Sequence, residues 1–243
     1  MFASQTEVPR LYSGPSGGGV YKKLIDIDGK YKIQTTIISY NNVIQLKMMV
    51  QYCNPAYKVD IVVYKKYLEE SVSNALLDTI LLDPRHMKNP LVTKAGQPSK
   101  KRNKTIYGDI DEYVITYRGK IIKTPVCPWK EEFKDIRDKI SKTTEQPYNT
   151  CVLQIYNSGQ VGIKPHRDKE MNEGTKIASI SLGESRIMRF ERNGFANLDI
   201  MLDKGDLCII NYPTNNYWLH SIPTDNTTQV RASLIYRNFE SNL

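Results

Sequence analysis

Hydrophobic and polar residues alternate with a period of two in many short segments of the second half of the chain. Successive side chains of a β-strand point to opposite faces, so this alternation predicts half-buried strands. Turn residues such as Asn193-Gly194 separate the segments. The predicted strands are Val152–Tyr156, Lys176–Leu182, Ile187–Glu191, Leu198–Leu202, Leu207–Asn211 and Ala232–Phe239. Many short strands without intervening helices predict a sandwich or barrel.

The first 63 residues divide into two parts with different patterns. Residues 1–19 are rich in Gly, Ser and Pro and predict a flexible tail. From residue 20 the chain alternates again, for example in Tyr31–Ile38 and Val43–Met48, and Asp28-Gly29 is a turn signal between such runs. We therefore expect a β-rich extension of unknown role over residues 20–59, ahead of a main domain at 60–243.

Two segments have the spacing of amphipathic helices. In the first, an apolar residue recurs every four positions, at Leu68, Val72, Leu76 and Ile80. The second is predicted to begin at Pro128, a favourable first-turn residue, with an apolar face of Trp129, Phe133, Ile136 and Ile140. Both faces are interpreted as core rather than as binding surface. Helices flanking a C-terminal β-roll predict an α+β fold.

Composition narrows the class of protein. The chain has 243 residues, of which 40% are hydrophobic, and this is enough for a packed core. No apolar run is long enough for a transmembrane helix, and the N-terminus lacks the order of a secretory signal. An intracellular setting is expected, nucleus or cytoplasm. The four widely spaced cysteines indicate neither a disulfide framework nor a zinc ribbon.

The net charge of +8 is concentrated in the middle of the chain. Residues 94–142 hold 13 basic and seven acidic side chains, with a cluster at Lys100, Lys101, Arg102 and Lys104. A localised basic field attracts polyanions such as nucleic acid. The alternative is a solvated lysine-rich loop.

Histidine is scarce, and two of the three histidines stand in a pattern typical of a metal site. In an extended segment His166 and Asp168 point to the same side, and His220 follows on a later segment. Two histidines and one carboxylate form the facial triad of non-haem iron(II) oxygenases. The alternative is a surface histidine, since H-x-D often arises by chance. His86 lies outside this set and is predicted to be exposed in a polar loop.

Arg231 and Arg237 lie six residues apart in a predicted strand and therefore face the same way. They are separated by about 20 Å along an extended strand, so they could hold a small dicarboxylate between them. The planar guanidinium pairs with carboxylate in a bidentate manner. The alternative is two surface arginines on an amphipathic strand.

Together these stretches resemble the AlkB family of Fe(II)- and 2-oxoglutarate-dependent dioxygenases, in particular the eukaryotic-type branch that repairs alkylated bases. The resemblance covers about residues 60–240. The matching stretches, in chain order, are Tyr107-Gly108-Asp109, Tyr117-Arg118-Gly119, Pro128-Trp129, Tyr148-Asn149, Gln154 to Gly159, His166 to Glu170, Ile177 to Gly183, Arg186 and Phe190, Gly205-Asp206-Leu207, Asn211 to Asn215, Trp218 to Pro223 and Arg231 to Arg237.

The resemblance implies a double-stranded β-helix, or jelly roll, with the catalytic roll at residues 150–240 and a nucleotide-recognition region at 94–125. It makes His166, Asp168 and His220 the ligands of Fe(II). It also implies 2-oxoglutarate and dioxygen as cosubstrates. The residues that the resemblance assigns to 2-oxoglutarate are Arg231, Arg237, Tyr156 and Gln154. Gln154 departs from the family, which usually has Asn at this position.

The resemblance also implies a set of contacts to the substrate. Tyr117 falls where relatives place an aromatic residue that stacks on the base, and Glu170 where a carboxylate approaches the exocyclic amine. The residue before Glu170 is Lys169, where close relatives often have an acidic residue. The full set of predicted substrate-binding residues is Tyr117, Glu170, Tyr107, Lys100, Lys101, Arg102 and Lys104.

The implied activity is oxidative demethylation of bases such as 1-methyladenine and 3-methylcytosine in alkylated DNA or RNA, with release of formaldehyde. One alternative is a hydroxylase of a protein or small molecule that uses the same chemistry. A second alternative is a nucleic-acid-binding module without turnover. The protein is expected to be a monomer that does not bind membranes, and no protein partner is indicated.

Overall fold

The computed structural model describes the backbone of residues 12–13, 19–27, 31–38, 48–86, 102–117, 119–168 and 174–239. Within these ranges side chains are described from residue 48 onward, except for residues 116–117. Three predicted substrate-binding residues, Lys100, Lys101 and Glu170, lie outside the described residues. The predicted strand Val43–Met48 lies outside them too, apart from its last residue.

Ten strands form one large sheet in which every neighbouring pair is antiparallel. In spatial order these strands are β1 (Tyr12–Ser13), β2 (Gly19–Ile27), β3 (Tyr31–Ile38), β4 (Met49–Asn54), β5 (Val59–Tyr64), β14 (Leu207–Ile210), β11 (Ile177–Gly183), β16 (Arg231–Arg237), β9 (Thr150–Tyr156) and β6 (Asn103–Gly108). Strand β1 lies inside the predicted tail and pairs with β2, which corrects that prediction at Tyr12–Ser13.

The remaining strands form a small sheet and a separate hairpin. In spatial order the small sheet contains β10 (Ile163–His166), β15 (Leu219–Ile222), β12 (Arg186–Glu191) and β13 (Leu198–Leu202). The hairpin consists of β7 (Glu112–Tyr117) and β8 (Lys120–Pro125). The helices are α1 (Glu70–Leu82), α2 (Glu131–Thr144) and α3 (Thr214–Tyr217), with 3-10 turns at Pro55–Tyr57 and Pro84–His86.

Two large hydrophobic cores lie on the two faces of the large sheet, and a smaller cluster contains Ile106, Tyr113, Val152 and Phe239. On one face, residues of β5, β11 and β14 pack against residues of β12, β13 and β15 in the small sheet. On the other face, α1 and α2 cover β9, β11 and β16. Two facing antiparallel sheets with helices outside confirm the predicted jelly roll with an α+β composition. Among the described helices none is long and apolar enough to cross a membrane.

The second helix begins later than its sequence predicted. Helix α2 starts at Glu131 rather than at Pro128, because Lys130 is still extended, with φ −81° and ψ 142°. Two glutamates in the first turn suit the positive end of the helix dipole. Trp129 precedes the helix and donates from Nε1 to Asp109 Oδ1 at 2.7 Å. The predicted apolar face is otherwise buried at all three of its helical positions.

His86 is buried, and the prediction that it is exposed is wrong. Its side chain is enclosed between α1 and β6, where Nδ1 donates to the Ile80 carbonyl at 2.8 Å. Its Nε2 then accepts a hydrogen bond from the Tyr107 hydroxyl. Burial lowers the pKa of His86, which favours the neutral ring that these two bonds require. His86 is therefore part of the helix-side core.

Arg186, at the start of β12, is a buried cation that holds two loops beside the small sheet. It is 1% exposed and donates to the carbonyl oxygens of Ser158, Val161 and Pro223. Its Nε lies 2.7 Å from Asp225 Oδ2. One guanidinium thus joins the loop after β9 to the loop after β15.

Replacing Arg186 with methionine is expected to lower the free energy of unfolding by about 3 kcal/mol, because several buried acceptors lose their donor. Urea unfolding followed by circular dichroism measures the change. The control is Arg189→Met, which breaks an exposed ion pair with Asp199 and is expected to cost less than about 1 kcal/mol. Equal losses in the two variants would contradict the role assigned to Arg186.

Candidate metal and cosubstrate site

The strand pair β10 and β15 brings the two predicted histidine ligands together. His166 is the last residue of β10, and its Cα lies directly opposite that of His220 in β15. Asp168 follows two residues after the end of β10. Two segments that are far apart in sequence, one with His166 and Asp168 and the other with His220, therefore meet at one end of the small sheet.

The ligand atoms of these three residues lie within 4.8 Å of one another. His166 Nε2 is 3.7 Å from Asp168 Oδ1, and His220 Nε2 is 3.8 Å from Asp168 Oδ2. Two imidazoles and one carboxylate converging on one point are the donor set of a facial triad, which suits Fe(II). The residues present therefore fit the predicted metal.

Neighbouring groups orient the three ligands. His166 Nδ1 donates to the Lys164 carbonyl at 2.9 Å, which leaves the Nε2 lone pair available to bind a metal ion. Asn215 in α3 forms two hydrogen bonds with the backbone of Asp168, at 3.1 and 2.7 Å. These contacts fix the loop that carries the carboxylate.

The electrostatic environment keeps His220 and Asp168 in the protonation states that bind metal. Burial lowers the pKa of His220 to about 4, so the ring is neutral at physiological pH. Burial alone raises the pKa of the Asp168 carboxyl, but nearby positive charge, chiefly that of Arg237, lowers it below its usual value. A neutral imidazole and an ionised carboxylate are the states required of ligands.

Both predicted arginines face the cavity that the metal ligands border. Alternation along β16 directs Ala232, Leu234 and Tyr236 to the helix-side core. The opposite face of β16 lines the cavity, through Arg231, Ser233, Ile235 and Arg237. Arg237 Nη2 lies 2.8 Å from Asp168 Oδ2, so one arginine adjoins the metal ligands, and Arg231 occupies the far end of the strand.

Arg231 is the strongest sign of a bound anion. It is 1% exposed, and only its Nη2 finds an acceptor, Ser181 Oγ at 3.1 Å. Its Nε and Nη1 have no hydrogen-bond partner among the described residues. Burial lowers the pKa of this guanidinium, which shows how poorly its charge is solvated. A buried cation with two unsatisfied donors fits a carboxylate of 2-oxoglutarate.

Four further cavity residues share the wall with Arg231. The Tyr156 ring lies below the guanidinium, with 5.1 Å between the Arg231 Cζ and the ring centroid. Gln154 also lines the cavity, so the longer side chain at this position still reaches it. The hydroxyls of Ser179 and Ser233 are buried there without acceptors or donors in the part of the chain that the structure describes. These serines were not predicted, although Ser233 shares a face with both arginines.

Tyr107 does not reach this cavity, which corrects its predicted role in substrate binding. Its side chain is 1% exposed and packs edge-on against Phe133 in the helix-side core. Burial raises the pKa of its hydroxyl well above the usual range. The reason is the alternation of β6, which turns Tyr107 inward and leaves Lys104 on the outer side.

Two members of the predicted basic cluster can be located. Lys104 is exposed and stands opposite Gln154 in the β6–β9 pair, and its charge contributes to the lowered pKa of Asp168. Arg102 is exposed and lines a groove beside β10, together with Lys164. Both therefore flank the metal ligands. Tyr117 ends strand β7, and its side chain lies outside the described part.

Besides the two serines, sequence reasoning missed Asn215 and Tyr113. Asn215 belongs to a stretch that matched the family, but nothing in its spacing indicates the bonds to Asp168. The Tyr113 hydroxyl oxygen accepts a hydrogen bond of 3.1 Å from Arg237 Nη1, across 124 positions of sequence. No local pattern signals such a contact.

Comparison with known proteins agrees with this site. The model of the 2OG-Fe(II) oxygenase superfamily matches residues 60–239. DNA oxidative demethylase ALKBH2 from Bos taurus is 32% identical over 136 residues, which cover 51% of this chain and 48% of that protein. Alpha-ketoglutarate-dependent dioxygenase alkB homolog 3 from Homo sapiens is 26% identical over 144 residues, with coverage of 54% and 49%. The chain spans about half the length of these curated relatives.

A solved structure described as that of OsALKBH1 has the same fold. It superposes with a TM-score of 0.51 and covers 73% of this chain and 97% of its own. The sequence identity is 15%, so this likeness concerns the architecture alone.

Proposed function

Because the chain belongs to the 2OG-Fe(II) oxygenase superfamily, we propose that it oxidatively removes alkyl groups from bases of nucleic acid. The resemblance to the AlkB family is confirmed by relatives of the ALKBH2 and alkB homolog 3 types. Family membership implies Fe(II) as the metal and 2-oxoglutarate and dioxygen as cosubstrates. The observation that carries the proposal is the His-Asp-His group beside a buried arginine with unsatisfied donors.

The chain's own residues have separate tasks in this proposal. His166, Asp168 and His220 hold the metal, and Arg231 binds a carboxylate at the far end of the cavity. Fe(II) with 2-oxoglutarate and dioxygen supplies the oxidation of a carbon–hydrogen bond, with succinate and carbon dioxide as coproducts. Apolar residues of the cavity wall exclude water from the reacting groups. These wall residues are Ile163, Ile177, Met188, Ile210 and Ile222.

The substrate class rests on the relatives and on the charge around the site. One relative is named a DNA oxidative demethylase, and Lys104 and Arg102 place positive charge beside the metal ligands. Phosphate contacts by such residues position a nucleic acid without reading its sequence. We propose 1-methyladenine and 3-methylcytosine as substrates, with formaldehyde as the released product. A base in a duplex must be flipped out to reach so buried a centre.

A formaldehyde-release assay on matched methylated and unmethylated oligonucleotides tests this function. The substrates are DNA and RNA, each single- and double-stranded, with Fe(II), 2-oxoglutarate and ascorbate present. Methyl-dependent formaldehyde together with succinate supports the proposal. Succinate formed equally without any oligonucleotide would overturn it in favour of a protein or small-molecule hydroxylase. Oligonucleotide binding without either product would overturn it in favour of a binding module.

The double variant Arg102→Ala/Lys104→Ala is expected to weaken binding of all oligonucleotide sequences alike. Loss of two phosphate contacts lowers the slope of log affinity against log salt by about 1.4 for single strands. Fluorescence anisotropy at several salt concentrations measures the slope. Lys134→Ala/Lys139→Ala is the matched control, because these exposed lysines lie on α2, on the opposite side of the large sheet. An unchanged slope in the first variant would exclude these contacts.

A further inference from the structure

The hairpin β7–β8 packs on the domain through Tyr113 and the partly buried Ile115, and Tyr113 is the one that contacts the site. Of the hairpin side chains that the structure describes, Tyr113 alone is buried, at 2% exposed. The neighbours Ile121 and Ile122 on β8 are exposed, at 61% and 40%. The hairpin therefore projects from the domain, and Tyr113 is its inward anchor.

Three kinds of contact hold the Tyr113 ring and hydroxyl. The ring stacks on Phe239, with centroids 4.4 Å apart and planes 29° apart. The Lys104 ammonium lies 5.3 Å from the ring centroid. The hydroxyl oxygen accepts a hydrogen bond of 3.1 Å from Arg237 Nη1. A ring held by these contacts keeps its hydroxyl at a defined place.

Arg237 joins this hydroxyl to the metal ligands. While Nη1 donates to Tyr113, Nη2 of the same guanidinium lies 2.8 Å from Asp168 Oδ2. The guanidinium is planar and rigid, so fixing one nitrogen also fixes the direction of the other. The orientation of Arg237 toward the cavity thus depends on a residue of the hairpin.

We propose that Tyr113 is a positioning residue, which orients Arg237 to bind a carboxylate of 2-oxoglutarate. Through the same contact, binding of 2-oxoglutarate is linked to the hairpin. The inference rests on the proposed function, and it adds that binding of the cosubstrate stabilises the hairpin. Tyr113 is not one of the three metal ligands, and it acts through Arg237. A purely structural Tyr113 would pack the hairpin without affecting cosubstrate affinity.

Tyr113→Phe removes the hydroxyl and keeps the stacking on Phe239. We expect the Kd of 2-oxoglutarate to rise about tenfold, because a hydrogen bond to a charged group is lost. The Kd is measured anaerobically in Fe(II)-loaded protein from the charge-transfer absorption band. In turnover the KM for 2-oxoglutarate should rise to a similar extent, while kcat at saturation changes less than about twofold.

Tyr148→Phe is the matched control. It removes another buried tyrosine hydroxyl, which donates to Thr144 Oγ1 at 3.1 Å in the helix-side core, far from the cavity lining. Its Kd for 2-oxoglutarate should stay within about twofold of the unmutated protein. Equal Kd values for all three proteins would overturn the inference alone. Absence of 2-oxoglutarate binding in the unmutated protein would instead overturn the proposed function.

Hydrogen exchange tests the link to the hairpin independently of turnover. In Fe(II)-loaded, anaerobic protein, 2-oxoglutarate should slow amide exchange in β7 and β8, and this slowing should be reduced in Tyr113→Phe. Tyr148→Phe should behave like the unmutated protein. If 2-oxoglutarate slows exchange equally in Tyr113→Phe, the hairpin does not respond through this hydroxyl.

Discussion

Replacing His166 with alanine is expected to abolish formaldehyde release from every methylated DNA and RNA substrate. His166 supplies a ring nitrogen, which is one of three ligand atoms that lie within 4.8 Å of one another. Two ligands bind a divalent metal much more weakly than three do. Even mutating a residue that only hydrogen-bonds to a ligand lowers metal affinity by about 10- to 100-fold. We expect a loss of at least about a hundredfold in both Fe(II) affinity and kcat/KM.

Metal content and turnover together measure this effect. The protein is loaded anaerobically with Fe(II), desalted and assayed for iron per chain before the formaldehyde assay. His86→Gln is the control, because His86 is a buried histidine outside the metal group. That variant should be less stable yet retain iron. Full iron content and turnover in His166→Ala would remove His166 from the metal site.

Replacing Arg231 with methionine is expected to raise the Kd of 2-oxoglutarate by about 30-fold or more. Removing one partner of a buried, hydrogen-bonded charge pair costs about 2–5 kcal/mol. Arg231 is almost fully buried, and its Nε and Nη1 have no hydrogen-bond acceptor among the described residues. The carboxylate of the cosubstrate would lose its only strong counter-charge at that end of the cavity. Arg231→Lys should recover little, since ammonium lacks the planar fork.

Anaerobic titration of the charge-transfer band measures Kd for these variants, and succinate formation gives the KM. The control is Arg189→Met, which removes an arginine of similar size from the outer face of the small sheet. Raising the 2-oxoglutarate concentration should restore much of the rate in Arg231→Lys. A variant Arg231→Met with unchanged Kd would show that the cosubstrate carboxylate binds elsewhere.

The period-two pattern located strands of both sheets, but it did not predict β10 and β15, which carry His166 and His220. Six predicted strands correspond to β9, β11, β12, β13, β14 and β16, with ends within two residues. Alternation also predicts which side chains share a face, and for this reason Arg231 and Arg237 were predicted to bind one dicarboxylate together. It does not state which face a helix covers. Tyr107 was misplaced because its burial depends on α2, whose position above the sheet no local pattern encodes.

The remaining errors have similar long-range causes. The burial of His86 results from Tyr107, 21 positions later in the chain, and a short polar segment gives no sign of it. The start of α2 was predicted from Pro128, whereas Trp129 is held outside the helix by Asp109. Contacts between distant segments decided these cases, and they form only when the whole fold is assembled.

Strand β16 serves as structural core and as binding site at once, and the two uses are interleaved residue by residue. Inserting or deleting a single residue near its middle would exchange the faces for the rest of the strand, so Arg237 would point into the helix-side core and Tyr236 into the cavity. Stability and cosubstrate binding would then fail together. We therefore expect β16 to tolerate some substitutions on either face but no insertion or deletion.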